Sequence, residues 1–288
     1  MDVVDAQLHV WDHDRPDLSW HPAPIDVNEA HTRRFMEKNV ITYEAMAKTM
    51  EAAGVAAAIL VTPGGLYGND NRYAFDAARD MPDRFAVVAR VDYRASGIDR
   101  VLRELKGTPG FVGIRATVFT EQHLRDWRDG RFEALFEAAS EYAVPICIYP
   151  PGLLGELPAL MRKLPDLTLV IDHLGVRQPP LLPPGADWLA ELPKLLALAG
   201  QRNLYVKVTG FHELSKEVFP FRDLTPPLRR VVAAFGADRL MWGSDWTRSA
   251  TTLSYRHAMS YLLDSAALSD TERGRLLGGT LREVFAWR

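Results

Sequence analysis

The chain has 288 residues, 47% of them hydrophobic and 25% charged, a balance that supports a large buried core and excludes a disordered or fibrous chain. Lysine and arginine number 34 against 37 acidic residues, giving a net charge of −3 with no run of like charges, so nucleic acid and anionic membrane surfaces are poor partners. The opening MDVVDAQLHV lacks a basic stretch followed by an apolar one, and no apolar run approaches the ~18 residues of a spanning helix, so a cytoplasmic protein is expected.

In chain order, short apolar and β-branched runs occupy residues 3–10, 56–62, 85–91, 111–117, 145–149, 167–172, 204–209 and 239–245. Between them lie segments with apolar residues at i, i+3, i+4 and i+7: TYEAMAKTMEAAG, NRYAFDAARDM, IDRVLRELKG, RFEALFEAASEY, LPALMRKL, WLAELPKLLALAG and LRRVVAAFG. Near-continuous apolar strands alternating with amphipathic helices indicate a parallel sheet covered by helices. Counting at ~150 residues per domain would give two domains, yet α/β barrels run to ~250 residues as one. Eight units favour a closed (β/α)8 TIM barrel forming a single domain over residues 1–288. No Gly-rich phosphate fingerprint follows the first run, which removes the usual support for an open Rossmann sheet.

Ser269 and Glu272 form an S-x-x-E capping box that opens a C-terminal closing helix. Two Pro-rich stretches, residues 15–24 and 178–185, fall after the first and sixth strands and read as walls of a barrel active site. The single cysteine, Cys147, stands between Ile146 and Ile148 and reads as a buried small hydrophobe.

Barrel enzymes carry their working residues at the C-terminal strand ends. Those ends hold Gln7 and His9, Arg115, Tyr149, Asp172 and His173, Lys207 and Thr209, and Asp245. Gln7 and His9 are two apart on a strand and so face the same side.

The motifs DAQLHVWD, YGNDNRYAFDAARDMPDRFAVVARVD, GIR, IDHLG and GSDW, taken in this order along the whole chain, resemble the amidohydrolase superfamily in its amidohydrolase-related branch. That branch holds sugar lactonases, 2-pyrone-4,6-dicarboxylate lactonase and sulfomuconolactone hydrolase, and more distantly metal-dependent decarboxylases. The resemblance implies a (β/α)8 barrel with catalysis from His9, His173 and Asp245. The branch carries H-x-H on its first strand, whereas here Gln7 takes the place of the first histidine. A carboxamide oxygen is a weak zinc ligand, so a site with no required cofactor is expected, Gln7 donating to substrate or holding Asp245. Should one divalent metal ion such as zinc bind, its ligands would be His9, His173 and Asp245 with Gln7.

Each assignment has a plain structural counterpart. Asp245 could cap the following turn, His173 could be a core histidine held by Asp172, and Gln7 could make a structural hydrogen bond. Arg115 ends an apolar strand, where an unpaired charge is costly; it either pairs with Asp92 or another inner carboxylate, or grips a substrate carboxylate. Tyr149, Tyr67, Asn71, His212, Trp246 and Arg248 complete the candidate substrate wall. His212 lies in GFHELS, where the dicarboxylate lactonases of the resemblance carry an arginine.

The expected activity is catabolic hydrolysis of a small carboxylated or polyhydroxylated lactone by Asp-activated water, with His173 and His9 polarising the carbonyl. A metal-dependent decarboxylase of an aromatic or muconate-type acid is the alternative, and a barrel that only binds its ligand is the third reading. A small molecule is the expected partner, and self-association into a homo-oligomer stays open.

Overall fold

A computed structural model describes residues 2–21, 27–179, 181–183 and 185–287. Eight parallel strands pair in chain order: β1 (Val4–Leu8), β2 (Ala57–Val61), β3 (Phe85–Arg90), β4 (Phe111–Thr117), β5 (Ile146–Tyr149), β6 (Leu169–Ile171), β7 (Leu204–Thr209) and β8 (Leu240–Gly243). Each lies inside one of the eight apolar runs. β8 returns to β1, where the Asp245 amide donates to the Gln7 carbonyl at 3.0 Å and the Ser244 amide to the Asp5 carboxylate at 2.9 Å. The architecture is a (β/α)8 barrel. Among the described residues no helix is long and apolar enough to cross a membrane.

Side chains alternate along each strand, so one set packs outward under the helices and the other fills the barrel. The inner cluster contains Val4, Ala6, Ile59, Val88, Cys147, Val170 and Met241, with Leu281 and Phe285 of the C-terminal segment joining it. Burial pushes the Cys147 thiol up to about 11, which makes it an inert core residue. Toward the C-terminal ends of the strands, Arg90, Arg115, Tyr149, Asp172, Lys207 and Asp245 replace the apolar set. The period that buries valines at the base thus delivers charged groups to the mouth. Gly243 is needed in this row, because a Cβ there would stand 2.7 Å from Thr209 Oγ1 and 3.3 Å from Gln7 Cβ.

The helices follow the amphipathic segments with trimmed ends. Tyr43–Ala53 shows why: the Thr42 hydroxyl caps its first turn, and Gly54 ends it at φ 78°, a left-handed conformation that favours glycine. The expected helix at 188–200 is divided into a 3-10 turn, Trp188–Ala190, and a short helix, Leu192–Leu196, whose first turn carries Pro193. The capping box at Ser269 and Glu272 forms. The closing segment it opens is broken by a π-turn at Arg275–Gly279, where Gly278 lies so close to β1 that a Cβ would meet Asp2 O at 2.5 Å. Helices Val27–Lys38, Glu121–Arg128 and His257–Leu263 were not anticipated, and the first two are largely polar in sequence.

Candidate active site

A cavity of about 200 Å³ opens at the C-terminal ends of the strands. Of the residues singled out from the sequence, Gln7, His9, Arg115, Tyr149, His173, Asp245 and Arg248 line it. Thr62, Arg90, Thr117, Phe119, His123 and Leu181 complete much of the wall. Leu181 belongs to the second Pro-rich stretch, whose residues 180 and 184 lie outside the described residues. No described residue of the first stretch lines the cavity, and its residues 22–24 are likewise outside the description.

Asp245 follows β8 in a left-handed conformation, φ 49°, and His173 and Leu174 follow β6 at φ 55° and 57°. Three non-glycine residues in this sparsely populated region, all at the mouth, mark stored backbone strain where the chemistry collects. The Asp245 side chain makes no cap bond to the turn Trp246–Arg248, so the capping role is set aside. Its Oδ1 faces His9 Nε2 at 3.1 Å, and its Oδ2 lies 2.8 Å from Arg248 Nη1 and 3.9 Å from His173 Nε2. Burial alone would raise the Asp245 pKa, but Arg248 and His9 outweigh it and hold the carboxyl well below the usual range. Arg248 is in turn anchored by Glu213 Oε2 at 3.3 Å and by the Pro179 carbonyl. Burial raises the Glu213 pKa in spite of that arginine.

His9 Nδ1 lies 2.6 Å from the Val61 carbonyl, which can only accept, so Nδ1 carries a proton. Nε2 then faces the ionised Asp245 at 3.1 Å.

His173 is arranged differently from expectation. Asp172 does not hold it. Its Nδ1 sits 3.2 Å from the Thr209 carbonyl, so Nδ1 donates, and Nε2 accepts from Gln7 Nε2 at 3.1 Å. Burial lowers its pKa to about 4, so the ring is neutral over the working range. An Nε2 that accepts cannot also donate to a carbonyl oxygen, so the N–H in this pair belongs to Gln7. The Gln7 Oε1 accepts from Arg115 Nη1 at 3.2 Å and Lys207 Nζ at 3.5 Å, which fixes the amide with its nitrogen toward His173.

Arg115 meets an inner carboxylate, one of the two alternatives that its place in the sequence leaves open. Its Nη1 is 2.8 Å from Asp172 Oδ2, and both side chains are buried. The carboxylate comes from the end of β6, two strands away across the barrel, which is why no acidic neighbour was visible in the strand itself. Lys207, wholly buried, takes the other oxygen of Asp172 at 3.0 Å. A lysine inside an apolar strand was the sequence signal for this cluster, since such residues are almost never fully buried unless paired.

Four wall candidates belong to the scaffold. The Tyr67 hydroxyl accepts from the Asp12 amide at 3.0 Å. Asn71 clamps Thr62 Oγ1 at 2.7 Å and the Arg90 backbone at 2.8 Å. His212 packs against Phe221 and Tyr261 and lies 3.4 Å from Ser249 Oγ, with burial lowering its pKa to about 4. Trp246 donates to the Leu253 carbonyl and packs on Tyr255.

Beneath the mouth, Asp5 is fully buried and accepts from the Gln7 and Ser244 amides and the Tyr255 hydroxyl, each at 2.9 Å. Burial raises its pKa to about 6. A carboxyl with a raised folded pKa favours folding below its unfolded pKa and loses that contribution as pH rises through about 6. Asp5→Asn is therefore expected to raise the melting temperature at pH 8, with the gain fading toward pH 4. Thermal scans across pH check this, and a constant difference would contradict it.

A model of the amidohydrolase family matches residues 4–287. The chain belongs to this family. It is 30% identical to an L-fucono-1,5-lactonase of Burkholderia ambifaria, over 84% of this chain and 79% of that protein. It is 26% identical to a 4-sulfomuconolactone hydrolase of Hydrogenophaga intermedia, over 84% of this chain and 78% of that protein. In structure it superposes with a TM-score of 0.80 on a zinc-bound amidohydrolase from Burkholderia multivorans, at 24% identity and with both chains covered in full.

The donor set here does not fit such a zinc ion. The lone pair of His173 Nε2 is taken by the Gln7 amide, and the Gln7 oxygen is turned toward two cations. Among the described residues no three His, Cys, Asp or Glu side chains stand together as metal ligands.

Proposed function

We propose that this amidohydrolase opens a small, uncharged, polyhydroxylated lactone by attack of a water molecule that Asp245 deprotonates. The observation that carries the reading is the buried Asp245 carboxylate, held ionised between His9 and Arg248 on the wall of a cavity with room for one small ring. Two lactone hydrolases among the relatives support it.

In the proposed reaction water forms a bond to the lactone carbonyl carbon as its proton passes to Asp245. The carbonyl oxygen becomes an oxyanion that the Gln7 Nε2–H faces. Collapse breaks the ring C–O bond, and the proton that Asp245 took from water passes across 3.1 Å through His9 Nε2 to the departing oxygen, which restores the site. His173 serves by holding Gln7. An activated ester needs less electrophilic assistance than an amide, which suits this donor set. The decarboxylase alternative needs a metal that these residues do not fit.

Arg115 favours an uncharged substrate only in that its guanidinium already pairs with Asp172 and so does not itself demand a carboxylate on the ligand. The Thr117 hydroxyl on the wall suits a ring hydroxyl instead. Arg115→Met is accordingly expected to slow an uncharged aldonolactone and a carboxylated lactone to a similar degree. A loss of about 10²-fold or more confined to the carboxylated substrate would restore the arginine as its grip.

Proton release on a panel of aldonolactones, muconolactones and pyrone carboxylates tests the function. Faster turnover of the uncharged aldonolactones is expected. No turnover above the spontaneous rate on any of them would overturn the reading in favour of a barrel that only binds.

A further inference from the structure

Two cations and one carboxylate lie together behind Gln7. Asp172 pairs with Arg115 at 2.8 Å and Lys207 at 3.0 Å, and all three side chains are buried. One negative against two positive charges leaves a surplus of one. Arg115 alone would neutralise Asp172, so the pairing does not require Lys207. An ammonium with no access to water is costly to bury, and a chain that only needed the Asp172–Arg115 pair could place a methionine there.

What the extra cation touches is Gln7. Lys207 Nζ is 3.5 Å from Gln7 Oε1, beside Arg115 Nη1 at 3.2 Å, while the amide nitrogen of the same group faces the cavity side and His173. Positive charge on an amide oxygen does two things. It forbids the flipped rotamer, in which the NH₂ would meet the two cations, and it draws electron density from the nitrogen, making Nε2–H a stronger donor. It also leaves one net positive charge, after Asp172 is counted, behind the place where negative charge develops.

We propose that Lys207 is a positioning residue that, with Arg115 and Asp172, locks and polarises Gln7 as the oxyanion donor and keeps divalent metal out of the site. The inference rests on the lactone-opening reading for its catalytic half only. Burial works against the charge on Lys207, and Asp172 more than offsets that, so the ammonium stays protonated. Lys207 is not among the residues of the cavity wall and acts through Gln7.

Lys207→Met tests it, because the remaining Asp172–Arg115 pair is neutral and the fold should be retained. On the best uncharged lactone kcat is expected to fall about 10- to 100-fold with KM changed by less than about twofold, since the charge acts on the transition state. A lower melting temperature with unchanged kcat would reduce Lys207 to a structural role and overturn the proposal. Should Lys207→Met not fold, Lys207→Gln keeps a polar end near Asp172 without the charge and is read the same way. The metal half is tested without any substrate, by titrating zinc into Gln7→His and into the Gln7→His, Lys207→Met double variant. Binding at least about tenfold tighter in the double variant is expected, as a buried like charge no longer opposes the ion. Equal affinities would overturn the metal half. Failure of the wild type on every lactone would sink the proposed function but leave the zinc comparison decisive for Lys207.

Discussion

Asp245→Asn is expected to leave a folded protein whose turnover is lower by about 10²- to 10⁴-fold, the range for a lost general base. Asparagine tolerates the left-handed conformation that residue 245 adopts at φ 49°, so the turn after β8 survives the change. The Asp245 amide bond to the Gln7 carbonyl, which helps close β8 onto β1, is also kept. What disappears is the acceptor for the water proton and the anion that holds His9 Nε2 at 3.1 Å and Arg248 Nη1 at 2.8 Å. The loss should appear in kcat. Near wild-type turnover in folded Asp245→Asn would remove Asp245 from the chemistry, and a collapse of stability with the rate retained would return it to a structural role.

Asp172→Asn is expected to be the most destabilising single change in the site. It leaves two buried cations facing a neutral amide, and breaking a buried pair by removing one partner costs ~3–5 kcal/mol. With a melting temperature shift of ~2–4 °C per kcal/mol for a chain of this size, the loss is on the order of 10 °C. Lys207→Met should cost much less, since it leaves a balanced pair. Differential scanning calorimetry of both variants checks the order. Equal losses would mean that Asp172 is not the hub on which both cations depend.

The barrel was legible because period and composition carry it. Eight β-branched runs separated by amphipathic segments have few other ways to bury themselves, and each run holds one of β1 to β8. His9, His173 and Asp245 were legible for the same reason, since strand ends can be counted. What the sequence left out was who meets whom across the barrel. Arg115 looked unpaired because its partner comes from β6, and the meeting of Asp172, Lys207 and Arg115 over Gln7 is a property of barrel closure. The same blindness assigned Tyr67, Asn71, His212 and Trp246 to the wall. Each follows a strand, but its polar atom turns back to bond the scaffold, a choice made by loop geometry that no periodicity encodes. His173 was placed correctly and given the wrong polarity, because its tautomer is set by the Thr209 carbonyl.

Gln7 and Asp245 are expected to open the lactone without a divalent ion. The initial rate of aldono-1,5-lactone hydrolysis by protein stripped of metal with a chelator, compared with the same protein given zinc, tests it most directly. Equal rates above the spontaneous reaction are expected before and after zinc is added. A rate abolished by the chelator and restored by stoichiometric zinc would contradict it.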